Sequence, residues 1–223
     1  MLRWLPENVS TYGGDIDSLI SLIYSLTLFW FFLTIGLIII FLVVYRRREG
    51  RRATYVRGER FAEAVWILAP AAIVLALDLW IDHRGADAWA KVRGHIPQTS
   101  YRVQVIGKQF NWEIIYPGPD GKFGTVDDLK LDNELHVPVN QVIRGTLKSK
   151  DVIHNFFVPN LRFKQDALPG RDQEFWFQAT KPGEYEMPCA ELCGFGHSGM
   201  NGKLFVHTPE DYQKWVREHW PSS

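Results

Sequence analysis

The chain has 223 residues, and its 25 basic and 25 acidic side chains give a formal net charge of zero. Seven arginines are concentrated in one short loop. The rest of the sequence has no basic cluster of the kind that binds a nucleic acid. The chain has two cysteines and no Cys-x-x-Cys-His run. A covalently attached haem is therefore excluded, and with it a fused cytochrome c domain.

An uncharged apolar run begins after an N-terminal segment, residues 1–18. It extends from Leu19 to Tyr45, which exceeds the roughly 20 residues that a helix needs to cross the hydrocarbon core of a bilayer. The run is too long for the apolar part of a secretory signal, which has about 7–15 residues, and arginines follow it where a cleavage site would stand. It therefore predicts a transmembrane helix.

A second apolar run, Ala64 to Leu77, is shorter. It reaches a membrane-spanning length if Asp78 is tolerated and the helix continues to Ile81, and Glu63 stands at its start. We predict a transmembrane hairpin over residues 19–82. The loop between the two runs carries more arginines than glutamates, namely Arg46, Arg47, Arg48, Arg51, Arg52, Arg57 and Arg60 against Glu49 and Glu59.

This arginine-rich loop predicts the orientation of the hairpin. Short loops rich in arginine remain on the cytoplasmic side of a membrane, so both termini are expected on the opposite side. We therefore predict a protein of the bacterial cytoplasmic membrane, embedded in lipid by two helices, whose N-terminus, C-terminus and C-terminal domain all lie on the periplasmic side.

Short runs of alternating, β-branched and aromatic residues follow a linker over residues 83–98. Glycine- and proline-rich turns separate these runs. Short strands at this spacing over about 110 residues are typical of a β-sandwich or barrel, which we predict for residues 99–208. A short helix and the chain end are predicted over residues 209–223. The four clearest strand-like runs are Tyr101–Ile106, Gln141–Leu147, Glu174–Ala179 and Gly202–His207.

Both cysteines belong to a cluster of metal-ligating residue types near the C-terminus. Cys189, Cys193, His197 and Met200 lie within twelve residues, and His154 opens an earlier segment. Thiolates, imidazoles and a thioether together suit copper. Two cysteines and two histidines also satisfy tetrahedral zinc, although methionine is a poor zinc ligand, and two cysteines four apart on the periplasmic side could form a disulfide. The cluster favours a copper electron-transfer site, with zinc and a disulfide as alternatives.

The spacing of the cluster resembles the copper motif of cytochrome c oxidase subunit II. That motif here is Cys189-x-Glu191-x-Cys193-x3-His197-x2-Met200, with His154 thirty-five residues before its first cysteine. The resemblance covers about residues 16–216. It implies an α+β membrane protein in which the two-helix transmembrane hairpin is followed by an all-β, cupredoxin-like sandwich domain. Other segments similar to the family begin at Glu63, Asp166 and Lys181.

The resemblance also implies a binuclear copper centre, known as CuA, held by side chains of this cluster. Cys189 and Cys193 would bridge two copper ions through their thiolates. His154 and His197 would each bind one of the ions through a ring nitrogen. Met200 would be a weak ligand of one ion, and a backbone carbonyl would be a weak ligand of the other.

Two glutamates are implied to lie at the boundary with the neighbouring subunit I. Glu191 would supply that backbone carbonyl, and its side chain would reach a magnesium or manganese ion at the boundary. A surface glutamate in a loop has the same spacing. Glu63 would lie at the mouth of a proton channel in subunit I, and a carboxylate at a helix start also complements the helix dipole.

The implied electron donor is a c-type cytochrome or a similar small redox protein. The family often has tryptophan where electrons enter, and in this chain Phe110 occupies that place with Trp112 close behind. We take Phe110 and Trp112 as the candidate residues for electron uptake. The acidic segment 120–134 would attract a basic cytochrome, but it is equally consistent with a solvated loop. Its clustered carboxylates also suit calcium.

The function implied is electron delivery to a haem-copper terminal oxidase. Haem chemistry, oxygen reduction to water and proton pumping would take place in subunit I, with subunit III also expected, because this chain offers no haem site. The alternatives are the copper subunit of a nitric oxide reductase and a membrane-tethered cupredoxin that carries electrons alone. A tether needs one span, so the second helix disfavours that last alternative.

Overall fold

The computed structural model describes residues 5–220 except 53 and 56. The first four residues of the predicted N-terminal segment and the last three of the predicted C-terminal region lie outside the described residues. The chain divides into two compact units. Within the described residues, one is a helical unit over residues 17–89, and the other is a β-rich unit that combines residues 90–220 with residues 5–16.

Two long apolar helices account for the helical unit. Helix α1 spans Gly13–Val44, and helix α2 spans Phe61–Trp89. Both are long and apolar enough, by length and composition, to cross a membrane. Their large hydrophobic side chains, such as Phe32 and Trp66, are mostly exposed, which a lipid environment would permit and water would penalise. The predicted pair of apolar helices is confirmed.

Helix α2 extends beyond the predicted span. We expected it to end near Ile81, but it continues to Trp89 and is followed by a π-helical turn, Ala90–Gly94. Most of the predicted linker 83–98 is therefore helical, because polar residues can prolong a helix after its apolar part has ended. Asp78 is accommodated inside α2 and lines a groove of about 570 Å³ between α1 and α2.

Two layers of strands form the β-rich unit. Within the described residues the strands are β1 (Arg102–Lys108), β2 (Asn111–Tyr116), β3 (Leu129–Asp132), β4 (Glu134–Pro138), β5 (Val142–Ser149), β6 (His154–Val158), β7 (Phe163–Ala167), β8 (Gln173–Gln178), β9 (Gly183–Pro188) and β10 (Asn201–His207). The larger sheet has the order β3-β2-β1-β5-β8. A three-stranded sheet, β4-β10-β9, and the hairpin β6-β7 make the remaining sheets.

A single hydrophobic core joins these sheets. Each of the four predicted runs is observed as a strand, and β5 shows the expected alternation of buried and more exposed residues. Ile143 and Leu147 from β5 lie in the core with Phe175 and Phe177 from β8. The predicted architecture, two apolar helices followed by a β-sandwich, is thereby confirmed.

The N-terminal segment is part of the β-rich unit, which no sequence pattern predicts. The Val9 amide donates to the Asn160 carbonyl, and the Val9 carbonyl accepts from the Thr180 amide, both at 2.8 Å. Val9 is fully buried and Tyr12 is nearly so. The segment therefore covers an edge of the sandwich and pairs with backbone groups that would otherwise be exposed there.

A short amphipathic helix ends the described chain. Helix α3 spans Pro209–His219, inside the region 209–223 where a short terminal helix is predicted. The Thr208 side chain accepts a hydrogen bond from the Asp211 amide and so caps the helix, and Pro209 occupies the first turn, where its missing N–H costs nothing. Trp215 is the buried residue of α3 and packs into the core.

Candidate metal centre

Three chain segments bring the predicted ligands together at one place in the sandwich. His154 is the first residue of β6, Cys189 directly follows β9, and Met200 directly precedes β10. Phe156 and Cys189 form an isolated antiparallel bridge between these segments. Cys193 and His197 lie in the loop that joins β9 to β10. Ends of neighbouring strands thus hold ligands that are far apart in sequence.

The two cysteine sulfurs occupy the middle of the ligand set. Cys189 Sγ and Cys193 Sγ are 4.0 Å apart. His154 Nδ1 lies 3.9 Å from the first sulfur, and His197 Nδ1 lies 3.7 Å from the second. Met200 Sδ is 3.8 Å from the second sulfur. Each thiol therefore has its own imidazole, and the two thiols adjoin one another.

The spacing of these atoms fits a shared metal. Two ligands of one tetrahedral ion lie about 3.3–3.8 Å apart when the metal–ligand bonds measure about 2.0–2.3 Å, and the observed separations of 3.7–4.0 Å are close to the upper end of that range. His154, Cys189 and Cys193 form a buried group whose ligand atoms all lie within 4.8 Å of one another. Both cysteines are free, so the disulfide alternative is not observed.

The chemistry of the thiols also fits a cation. Burial, and then the neighbouring Cys189 sulfur, raise the pKa of Cys193 to about 11. Two buried thiolates without a cation would repel each other in a region that water does not solvate. A bound metal would supply the missing positive charge, so the pocket suits a cation held by both sulfurs.

Backbone hydrogen bonds fix the loop that carries the ligands. The Cys189 amide donates to the Met200 carbonyl at 3.0 Å, which places the first and last ligands of the loop side by side. The His197 amide donates to the Gly194 carbonyl, and the Met200 amide donates to the His197 carbonyl, both at 3.1 Å. Hydrogen bonds within its own backbone therefore hold the ligand loop in this conformation.

His154 is completely buried, and its surroundings position the ring. A Cβ added to Gly107 would approach the ring carbons of His154 to 2.8 Å, so only glycine allows the imidazole to lie this close to β1. The Trp112 ring packs against the imidazole edge to face, with centroids 5.9 Å apart. Asp151 Oδ1 lies 2.8 Å from His154 Nε2, so each ring nitrogen faces a defined atom.

Asp151 is a functional candidate that sequence reasoning missed. Burial alone would raise its pKa, but hydrogen bonds from His154 and from the amides of Gln109 and Val152 outweigh burial and hold the pKa below its usual value. The residue is therefore an ionised acceptor. The signal in the sequence that could have identified Asp151 is its position, three residues before a candidate ligand histidine and just after a strand.

The two candidate residues for electron uptake have different environments. Phe110 is partly exposed, whereas Trp112 is fully buried behind His154. Cβ atoms added to Gly194 or Gly196 would meet the Phe110 ring at 3.1 Å or 2.5 Å. Phe110 therefore lies directly on the ligand loop, and of the two aromatic residues it is the one that is accessible from solvent.

Among the remaining predicted residues, Glu191 contacts a ligand sulfur through its backbone. The Glu191 carbonyl oxygen is 3.3 Å from Cys189 Sγ, while its side chain is exposed. Glu63 is in the first turn of α2, and its carboxylate accepts from the Arg60 amide at 3.3 Å, as in a helix-capping contact. In the acidic segment, Asp120 and Asp128 accept backbone N–H groups of their own loop.

These features together define a class of protein. A β-sandwich that carries two cysteines, two histidines and a methionine at adjoining strand ends and in the loop between two of the strands, in a chain with two candidate transmembrane helices, is a cupredoxin-like domain. The chain belongs to the cytochrome c oxidase subunit II family, because the sequence profile of the periplasmic domain of that subunit matches residues 91–204. The predicted resemblance is confirmed, and the ligand cluster is consistent with copper binding in this family.

Relatives with names in the same family cover nearly the whole chain. Cytochrome c oxidase subunit 2 of Thermostichus vulcanus is 31% identical over 96% of this chain and 78% of that protein. The alternative cytochrome c oxidase subunit 2 of Bradyrhizobium diazoefficiens is 29% identical over 96% of this chain and 83% of that protein. The crystal structure of the periplasmic domain of subunit II of Bradyrhizobium japonicum cytochrome oxidase has a TM-score of 0.50 and 35% identity, over 56% of this chain and 96% of that one.

Proposed function

We propose that this chain receives electrons for a haem-copper terminal oxidase through a binuclear copper centre. The observation that carries the proposal is the order of the ligand atoms. The sulfurs of Cys189 and Cys193 adjoin each other, and the imidazoles of His154 and His197 flank them on separate sulfurs. A single zinc or copper ion would need both imidazoles near one point, whereas His197 lies outside the group of three that converges within 4.8 Å.

The residues of this chain would hold the ions with little change of position. Cys189 and Cys193 would bridge the two copper ions, and one imidazole would bind each ion. Met200 would be a weak ligand of one ion, and the Glu191 carbonyl a weak ligand of the other. When bound, the copper pair accepts and releases one electron that is shared over both metals. The closed ligand loop and the buried His154 keep the geometry constant and exclude water, which favours fast electron transfer.

Electrons would enter beside Phe110. A c-type cytochrome or similar periplasmic donor would contact this exposed ring, which lies on the backbone between Cys193 and His197. Gln109 connects Phe110 to the ligand loop: it is bonded to Phe110 in the chain, and its side-chain amide donates to the Cys193 carbonyl at 2.6 Å. Trp112, buried behind His154, would support the ligand and would not contact the donor.

The remaining assignments concern the assembled complex. The electron would pass to haem in subunit I, where oxygen is reduced to water and protons are pumped, with subunit III as a further expected partner. The exposed Glu191 side chain would bind magnesium or manganese at the subunit I boundary, and Glu63 would lie at the mouth of a proton channel. Both helices would span the bacterial cytoplasmic membrane, with the arginine-rich loop inside and the metal domain in the periplasm.

Metal analysis of the full chain in detergent tests the proposal. We expect two copper ions per chain, a purple oxidised form, and an electron paramagnetic resonance spectrum in which one unpaired spin couples to both copper nuclei. One copper ion with a single-nucleus hyperfine pattern would contradict the binuclear centre, and a colourless zinc protein would contradict copper. Purification under mild detergent should recover a haem-containing partner whose spectrum separates an oxidase from a nitric oxide reductase.

A further inference from the structure

Asp151 connects two parts of the site that the sequence keeps apart. It lies in the turn between β5 and β6, three residues before His154. Its Oδ1 is 2.8 Å from His154 Nε2 and accepts from the Val152 amide at 2.7 Å. Its Oδ2 accepts from the Gln109 amide at 2.7 Å. One carboxylate therefore contacts both a predicted metal ligand and the turn that holds Phe110.

The contact with His154 determines which ring nitrogen is free to bind a metal. Both oxygens of the Asp151 carboxyl group accept backbone N–H groups, so the oxygen that faces His154 is an acceptor and the ring nitrogen opposite it, Nε2, carries the proton. That leaves the Nδ1 lone pair directed toward Cys189 Sγ, 3.9 Å away. The His154 side chain is 0% exposed, so bulk water is not in position to replace Asp151 as the acceptor.

The contact with Gln109 fixes the turn between β1 and β2. The Gln109 amide donates to Asp151, and its side chain donates to the Cys193 carbonyl. The two bonds attach this turn to both the His154 side and the cysteine side of the ligand set. The ring of Phe110, the next residue, is thereby held against Gly194 and Gly196.

We propose that Asp151 is a positioning residue that holds His154 in its Nε2–H tautomer and ties the Phe110 turn to the metal ligands. The inference rests on the proposed function, because it concerns a ligand of the copper pair. A carboxylate behind a ligating imidazole makes the imidazole a stronger donor and favours the oxidised, more positive metal. Loss of Asp151 should therefore weaken copper binding and raise the reduction potential.

Asp151→Asn in the full chain tests this in detergent, with Asp172→Asn as the matched control. Asp172 is an exposed carboxylate paired with Lys148 at 2.7 Å, so the control removes the same charge without touching His154. Two quantities are measured: the tautomer of His154 in the metal-free protein by nitrogen-15 magnetic resonance, and copper affinity by competition with a chelator. The reduction potential of the loaded protein is a third.

We expect the wild type and Asp172→Asn to show one His154 tautomer, protonated at Nε2, and Asp151→Asn to lose that preference. Copper affinity should fall by about 10–100-fold in Asp151→Asn alone, with a higher reduction potential, and Asp151→Glu should recover part of the loss. An unchanged tautomer and affinity in Asp151→Asn would overturn the inference, as would equal losses in the control.

This design separates the inference from the proposed function. A wild-type chain that binds no copper would defeat the proposed function, and the tautomer of the metal-free protein would still decide whether Asp151 orients His154. A wild-type chain with the binuclear spectrum and an Asp151→Asn variant identical to it would leave the function intact and defeat the inference. If Asp151→Asn does not fold, Asp151→Glu replaces it: the displaced carboxylate should weaken copper binding and the Nε2–H preference to a smaller degree, and values equal to those of the wild type would overturn the inference.

Discussion

Two regions of the β-rich unit hold histidines, and they differ in what the ring nitrogens face. At the metal region, His154 directs Nδ1 toward Cys189 Sγ and Nε2 toward Asp151. His197 likewise directs Nδ1 toward Cys193 Sγ at 3.7 Å. In both rings a nitrogen with a free lone pair can point to a sulfur, which is the arrangement that a soft metal requires.

The second region lies under helix α3, and we call it the α3 face. His136 of β4 is packed between the rings of Phe205 and Trp215, which are nearly parallel to it at centroid distances of 4.6 and 4.9 Å. Its Nδ1 is 2.8 Å from His207 Nε2. One of these nitrogens must donate and the other accept, so the bond between the two rings satisfies both atoms.

The comparison teaches that burial of a histidine does not identify a ligand. His154 and His136 are both buried, yet only His154 has a sulfur opposite a free nitrogen. His136 and His207, on the α3 face, stack on neighbouring rings and form a hydrogen bond with each other. These two histidines therefore contribute to the packing of the domain.

The largest effect is expected from either cysteine. Cys189→Ser or Cys193→Ser should abolish the two-nucleus copper spectrum, because a hydroxyl is a hard ligand that bridges copper poorly. Copper stoichiometry and electron paramagnetic resonance of the full chain measure this. Met200→Leu is the matched variant at the same site: it should keep both copper ions and change only the coupling and the potential. Equal losses in all three variants would contradict these ranked roles.

Trp215→Ala should produce the opposite result at the α3 face. Trp215 is 6% exposed and contacts His136, Tyr212 and Trp220, so its removal leaves a cavity that should cost about 3–5 kcal/mol of stability. The copper spectrum of the folded variant should be unchanged. Thermal unfolding of the metal-free chain, followed by near-ultraviolet circular dichroism, measures the loss. A Trp215→Ala variant with normal stability and altered copper would reverse the assignment of the two regions.

The sequence was sufficient for features that depend on local composition or spacing. Apolar length predicted α1 and α2, alternation predicted the four strands, and the motif from Cys189 to Met200 predicted which residues meet at the sulfurs. Each of these signals is carried by residues close together in the chain. The end of α2 was predicted less well, since hydropathy marks where apolar residues stop and not where backbone hydrogen bonds stop.

Features that depend on contacts between distant segments could not be predicted. The amide of Gln109 meets Asp151 across 42 positions, and Val9 meets Asn160 and Thr180 across the whole domain. Such pairs are set by strand order and register, which one sequence does not reveal. The stacking of His136 on Trp215 also joins distant segments, and no residue near His136 in the sequence predicts it.

Acidification should weaken the α3 face. Burial lowers the pKa of His136 from its ordinary value of 6.5, Glu134 opposes that shift, and His207 adds to it. The pKa of His207 is also lowered, chiefly by burial, with Asp211 opposing. Both rings therefore bind protons more readily when unfolded, so their contribution to stability is present above about pH 6.5 and is lost as the pH falls through the lower folded-state values.

The measurement is the melting temperature of the metal-free chain at several pH values between 7.5 and about 5, beside His136→Phe. Phenylalanine keeps the ring between Phe205 and Trp215 but cannot be protonated. The wild type should lose stability as the pH falls, and the variant should lose less over the same range. Parallel curves for the two proteins would show that other groups account for the pH dependence.

The smallest effect on the copper itself is expected from Glu191→Gln, a substitution in the metal region. A backbone carbonyl is unaffected by a change of side chain, so the copper spectrum should stay nearly the same. In the assembled complex the substitution should reduce manganese occupancy at the subunit boundary, because a neutral amide is a poorer ligand for a hard cation than a carboxylate. Electron paramagnetic resonance of manganese, in complexes grown with that metal, compares the variant with the wild type. Unchanged occupancy would make Glu191 a surface glutamate whose only contribution to the site is its carbonyl.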